Sequence, residues 1–143
     1  MLSICVRDVM IPKVISVLIT APVSRVEEIM RRNKIRHITV VDKKGRLWGV
    51  ISERELYKHI TLHVTPEGRY LEKSKMDEFI LFHIMVKNPI TVKPDDPLVR
   101  AVGIMAYEKV GCLPVMDEEN NLVGIITPID VLKVLYRALG GHR

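Results

Sequence analysis

With 143 residues, the chain has room for one ordinary domain or for two very small units sharing a core. Its 48% hydrophobic and 27% charged residues supply a packed interior and a well-solvated surface, which excludes disorder as the main state. The formal net charge of +5 favours anionic partners such as nucleotides, nucleic acid or acidic proteins, although the basic residues are scattered.

The opening stretch, Met1 to Arg7, holds one basic residue and no long apolar core, and no apolar run approaches the roughly 18–20 residues of a membrane span. No secretion signal and no membrane anchor are therefore expected, and the expected compartment is the cytoplasm. Cys5 and Cys112 lack the short spacing of a metal knuckle or redox pair, and one pair is too few for a disulfide scaffold. Both are read as buried thiols.

Residues 14–19 form a short β-branched run and predict a strand. The turn after it leads to Pro22, which suits the first turn of a helix because its missing N–H would have no partner there. In the helix that follows, Val23, Val26, Ile29 and Met30 recur at three- and four-residue spacing and predict one buried stripe. Arg31, Arg32, Lys34 and Arg36, the densest basic cluster, read as a solvated face. Strands are predicted at 38–41 and 47–51, joined by the polar turn Asp42-Lys43-Lys44-Gly45. Trp48, the only tryptophan, takes an apolar position in the second strand and reads as packing rather than as a base-stacking platform. A second helix starts at Ser52.

Residues 61–82 read as a connection, with a loop at Thr65-Pro66-Glu67-Gly68. Residues 76–85 predict a helix with Phe79, Ile80 and Phe82 facing inward. Beyond it the chain repeats itself, without a gap, at an offset of 75: Met10 falls on Met85, Val17 on Val92, Pro22 on Pro97, Met30 on Met105, Val40 on Val115, Asp42 on Asp117, Gly49 on Gly124 and Ile51 on Ile126. The second copy therefore predicts a strand at 89–92, a helix with Leu98, Ala101, Val102 and Met105 inward, strands at 113–116 and 122–126, and a helix opening at Thr127. The unit is βαββα, twice, in an α+β fold.

Thr127-Pro128-Ile129-Asp130 and Ser52-Glu53-Arg54-Glu55 each open a helix directly after a strand, with a hydroxyl at the cap and a carboxylate three residues on. Such a start satisfies its own backbone N–H groups, and the same groups attract phosphate. No nucleophile elbow, glycine-rich phosphate loop, His-Glu-x-x-His helix or close Cys/His set is present, and His37, His59, His63, His83 and His142 are dispersed, so no catalysis is expected.

His37-Ile38-Thr39-Val40-Val41-Asp42 with Gly49-Val50-Ile51-Ser52, and Leu113-Pro114-Val115-Met116-Asp117 with Gly124-Ile125-Ile126-Thr127, resemble the CBS domain, named after cystathionine β-synthase. The resemblance places repeats at 6–60 and 83–137 with a connection at 61–82, and implies a pseudo-twofold disc, a Bateman-type module, with two clefts. It implies that the clefts take AMP, ADP, ATP or S-adenosylmethionine as a regulatory ligand with no required cofactor, and that the chain forms a homodimer and signals to a separate regulated protein. Carried over, one cleft would combine Ile125, Thr127 and Asp130 with Met10, Ile15, Ile35, Arg36 and His37: Asp130 would hold the ribose hydroxyls, the apolar residues the adenine, and Arg36 or His37 a phosphate. The second would draw on Val50, Ser52 and Glu55 with Met85, Ile90, Val110, Gly111 and Cys112, and is expected to be weaker because Glu55 stands where Asp is usual. Metal ligands are not expected. The competing readings are a nucleic-acid-binding protein using its basic surface and a structural dimerisation module with non-binding clefts.

Overall fold

The computed structural model describes residues 3–60, 62–71 and 73–143. The chain divides into two compact units, Ile15–Asn88 and a second made of Met1–Val14 with Pro89–Arg143. Each sequence copy thus gives its leading segment to the other copy's unit.

In chain order, the unit Ile15–Asn88 holds β1 (Ser16–Leu18), α1 (Val23–Asn33), β2 (His37–Val41), β3 (Leu47–Ser52), α2 (Glu53–His59), β4 (Leu62–Thr65), β5 (Gly68–Leu71), α3 (Lys73–Met76), α4 (Leu81–Ile84) and β6 (Val86–Lys87). Its main sheet has the order β1-β2-β3-β6, with β1 and β2 parallel and the other pairs antiparallel. Val23, Val26 and Met30 of α1 are buried against Val17, Ile38, Val40 and Ile51 of the sheet, and Ile29 packs at the margin, as the stripe predicts. Burying such side chains stabilises by about 1.5–3 kcal/mol each.

The connection holds more structure than its sequence suggests. Thr65-Pro66-Glu67-Gly68 is the turn of the hairpin β4–β5, in which Thr65 pairs with Gly68 and its hydroxyl donates to the Gly68 carbonyl at 3.0 Å. The helix expected over 76–85 is instead two separate turns, α3 and α4. Asp77 explains the interruption: its carboxylate accepts from the Ser24 backbone N–H at 2.9 Å and the Ser24 hydroxyl at 2.8 Å, capping α1. Ile80 then takes an extended conformation before α4 and is 60% exposed, contrary to the inward expectation, while Phe79 and Phe82 pack on the core.

The second unit comprises a 3₁₀ turn at Val6–Asp8, α5 (Leu98–Tyr107), β7 (Leu113–Met116), β8 (Leu122–Ile126) and α6 (Pro128–Ala138). Ala101 and Met105 of α5, with Val6, Val92, Leu113, Val115 and Ile126, form its core. β7 and β8 pair antiparallel, flanked by a parallel bridge from Val92 to Val115 and an antiparallel bridge from Ile11 to Ile125. The arrangement matches β1-β2-β3-β6 position for position. The strand predicted at 89–92 is reduced to that single bridge, because Pro114 replaces Thr39 of the first copy and has no N–H with which to extend the ladder.

Candidate functional site

α6 begins at Thr127, whose extended backbone hands over to Pro128 at the first helical position. The Asp130 carboxylate turns back on this start: one oxygen, Oδ2, accepts from both the Thr127 N–H and the Thr127 hydroxyl at 2.9 Å. Among the described residues Oδ1 accepts no hydrogen bond, so the carboxylate is held in place and retains an oxygen for another donor. At the corresponding start of α2, the Ser52 N–H reaches Glu55 at 3.3 Å and the Glu55 N–H reaches the Ser52 hydroxyl at 3.4 Å. The longer glutamate makes the looser box, although Glu is the commoner partner at that position.

In the same unit as Asp130, Met10 lies against Gly124, where an added Cβ would stand 2.6 Å from the Met10 sulfur. Ile11 and Ile125 exchange backbone hydrogen bonds at 2.8 and 3.0 Å, which fixes Ile125 half-buried one strand-step before the helix. Val110 packs at the core margin, Gly111 is exposed and Ile90 is 42% exposed. Cys112 is buried, and burial followed by the nearby Asp130 charge pushes its thiol up to about 12. It is neutral and unreactive at physiological pH. Cys5 is only partly buried, which corrects the expectation of two buried thiols.

In the unit Ile15–Asn88, the β2–β3 register sets His37 opposite Ser52, beside the start of α2. His37 is half-buried; burial lowers its pKa, and Glu55 opposes that shift. Arg36 is exposed while its carbonyl accepts from the Glu53 N–H at 2.9 Å. Ile35 packs on the core, Ile15 is 37% exposed and its carbonyl accepts from the buried Thr39 hydroxyl at 3.2 Å. Val50 and Met85 are buried, Val50 pairing with Val86.

Within each unit, then, the residue before or at the hairpin entry feels the carboxylate of its own helix start: His37 with Glu55, and Cys112 with Asp130. The sequence reading grouped these residues only across copies. The signal was available, since 37 and 55 fall on 112 and 130 at the repeat offset and a hairpin brings its two ends together. Trp48 is 43% exposed, packs edge-on against Phe82 with centroids 5.9 Å apart, and donates its indole N–H to Asp42 at 3.1 Å. Among the described residues no group of three His, Cys, Asp or Glu side chains could hold a metal ion, and no helix is long and apolar enough to cross a membrane.

Two matching α+β repeats, each with a carboxylate folded over the helix start after its second hairpin strand, define a tandem-repeat protein with no enzyme motif in its sequence. The chain belongs to the CBS domain family, whose profile matches residues 6–62 and 81–137. It is 33% identical over 110 residues to a CBS domain-containing protein of Dictyostelium discoideum, covering 77% of this chain and 76% of that protein. The CBS domain pair of protein MJ0100, solved with 5′-methylthioadenosine and S-adenosyl-L-methionine, superposes with a TM-score of 0.78 at 21% identity, covering 94% of this chain and 98% of that one. The cytosolic domain of the Mg²⁺ channel MgtE, solved with ATP, superposes with a TM-score of 0.65 at 34% identity, over 88% of this chain and 46% of that one.

Proposed function

We propose that the chain is a non-catalytic regulatory module that binds an adenosine nucleotide and signals to a separate protein. The observation that carries this reading is the Asp130 carboxylate, held by two hydrogen bonds on Oδ2 and open at Oδ1 among the described residues, at the start of a helix with apolar Met10 and Ile125 in the same unit. A ribose offers two hydroxyl donors to such a group, and an adenine offers an apolar face. In the unit Ile15–Asn88, Arg36 and His37 beside the start of α2 suit phosphate, and a bound anion would oppose the lowering of the His37 pKa. The looser Ser52–Glu55 start makes that second position the weaker one for ribose. The ATP complex of the MgtE domain supports the ligand class, and the fact that the match spans under half of that longer chain supports a role as a module acting on other protein.

Titration calorimetry with AMP, ATP and S-adenosylmethionine tests the reading. Losing a hydrogen-bonded charged acceptor costs about 1.5–3 kcal/mol, so Asp130→Ala weakens binding by roughly tenfold or more. Asp130→Asn retains size and some capping ability, and melting curves on both variants separate a binding defect from lost capping. If both variants remain folded and bind as tightly as the parent while Glu55→Ala loses binding, Asp130 is not the ribose anchor. If the parent binds none of the three ligands, the nucleotide reading itself is wrong.

A further inference from the structure

In the unit Ile15–Asn88 the main sheet turns one face to α1, and its other face carries a chain of hydroxyls. Ser16 pairs with Thr39 across β1–β2, Thr39 with Val50 across β2–β3, and two residues along the same strands His37 pairs with Ser52. Side chains two apart on a strand share a face, so Ser16, Thr39, Val50, His37 and Ser52 stand together, opposite the core residues that α1 covers. Thr39 is the buried polar side chain among the described residues, at 1% exposure. Ser16, His37 and Ser52 are half-buried.

The direction of hydrogen bonding along this chain is fixed at its inner end. Thr39 has one hydroxyl proton and donates it to the Ile15 carbonyl at 3.2 Å, an acceptor with no proton of its own. The hydrogen bond between the Ser16 and Thr39 hydroxyls therefore runs from Ser16 to Thr39. Ser16 commits its proton inward, and its oxygen is left with lone pairs only. Among the described residues no donor reaches that oxygen. A serine hydroxyl that could ordinarily donate or accept is thus turned by the buried threonine into a fixed acceptor. The second copy lacks the device, because the equivalent positions are Thr91 and Pro114, and proline has no hydroxyl.

We propose that Ser16 selects adenine over 6-oxopurines, its oxygen accepting a hydrogen bond from the exocyclic 6-amino group of the base. This role rests on the nucleotide-binding reading above and adds base selection to the ribose and phosphate contacts named there. Adenine presents an N–H donor at position 6, whereas hypoxanthine and guanine present a carbonyl oxygen, which finds no proton at the lone pairs of Ser16. His37, a phosphate contact in the same reading, lies diagonal to Ser16 on one face, a cross-strand spacing of about 7–8 Å, so one nucleotide can reach both. Two acceptors brought face to face discriminate more strongly than one matched bond adds affinity, because each loses water without gaining a partner.

The test titrates the full chain with AMP and with inosine monophosphate, reading affinity by calorimetry and the backbone amide signals of Ser16 and Thr39 by NMR. The parent is expected to bind AMP about tenfold or more tightly than inosine monophosphate, with both amide signals moving as AMP is added. Ser16→Ala is expected to weaken AMP by about two- to tenfold and to leave inosine monophosphate unchanged, so that the preference shrinks. Thr39→Val removes the inner acceptor and frees the Ser16 proton to turn outward, and it is expected to tighten inosine monophosphate by a similar factor. Such a gain does not arise from lost packing alone, and melting curves verify that both variants fold. Equal affinity of the parent for the two nucleotides, Ser16 and Thr39 signals that stay still while others move, or an AMP preference that survives Ser16→Ala would each overturn the role of Ser16 while leaving nucleotide binding standing. A parent that binds neither nucleotide nor any other adenosine ligand overturns both.

Discussion

At Gly49 and Gly124 the fold leaves no room for a methyl group. A Cβ on Gly124 would stand 2.6 Å from the Met10 sulfur and 3.0 Å from the Ile11 carbonyl oxygen, and one on Gly49 would press into the Val86 carbonyl oxygen with the Met85 sulfur at 3.0 Å. A methionine sulfur can swing away, but a backbone carbonyl fixed in a sheet cannot. Gly49→Ala is therefore expected to destabilise by about 1–3 kcal/mol, with Gly124→Ala the milder of the two. Gly103, inside α5, meets nothing within 4 Å, and Gly103→Ala is expected to stabilise by about 0.5–1 kcal/mol through helix propensity and a less mobile unfolded chain. Urea unfolding of the three variants reads the order directly. Equal effects at all three positions would show that close approach of the leading segment is not what these strand glycines serve.

The hairpins show how one side chain sets an element. In β2–β3, Asp42 accepts from the backbone N–H groups of Lys44 at 2.8 Å and Arg46 at 3.0 Å, and in β7–β8 Asp117 repeats this with Glu119 at 2.9 Å and Asn121 at 2.8 Å. Gly45 and Asn120 occupy the same left-handed position, with φ of 78° and 62°. The Arg46 N–H, then the Trp48 and Arg46 side chains, hold Asp42 down at about 2, below its ordinary 3.8. The stability this gives is present above pH 3.8 and is lost as pH falls toward 2. Asp42→Asn is expected to melt below the parent at pH 7 and to converge with it near pH 2; a gap that persists at low pH would show that the charge is not the cause. These turns, the hairpin strands, the buried stripe of α1 and the two helix starts were legible in sequence, because each rests on residues close together in the chain. The β4–β5 hairpin and the break before α4 were not. The break follows from the Asp77 carboxylate bonding to Ser24, a contact across 53 positions that no local pattern records. The loss of the strand at 89–92 was readable in principle, since Pro114 announces a missing donor. Of the candidate site, the helix-start chemistry at Ser52 and Thr127 was legible, while the tighter box at Asp130 than at Glu55 required coordinates.

At the scale of the molecule, residues from both ends of the sequence build one unit. The Val6 N–H donates to the Asp96 carbonyl at 2.9 Å, the Arg7 N–H to Pro94 at 3.0 Å, and the Leu98 N–H returns to Ile4 at 2.8 Å, while Val6 is fully buried in the core of α5, β7 and β8. Val6→Ala is accordingly expected to destabilise the protein by about 1.5–3 kcal/mol, as a core residue and not a terminal one, which thermal melting measures. A shift no larger than that of an exposed Val99→Ala control would show the leading segment to be ornamental. The same unit presents apolar surface. Leu135 and Leu139 of α6 are 50% and 78% exposed, and at 100° per residue they lie on the flank roughly opposite Lys133 and Arg137. With Ile129, Leu132 and Tyr136, which are 58%, 55% and 46% exposed on the same side of the helix, they form one apolar stripe that a twofold contact would bury while Lys133 and Arg137 stay on its flank. The chain is expected to be a dimer at micromolar concentration, with Leu135→Glu plus Leu139→Glu returning it to a monomer and Lys133→Glu plus Arg137→Glu leaving the dimer intact. Light scattering on the parent and both variants distinguishes the outcomes: a monomeric parent rules out the dimer, and a dimer that survives the leucine changes places the contact elsewhere.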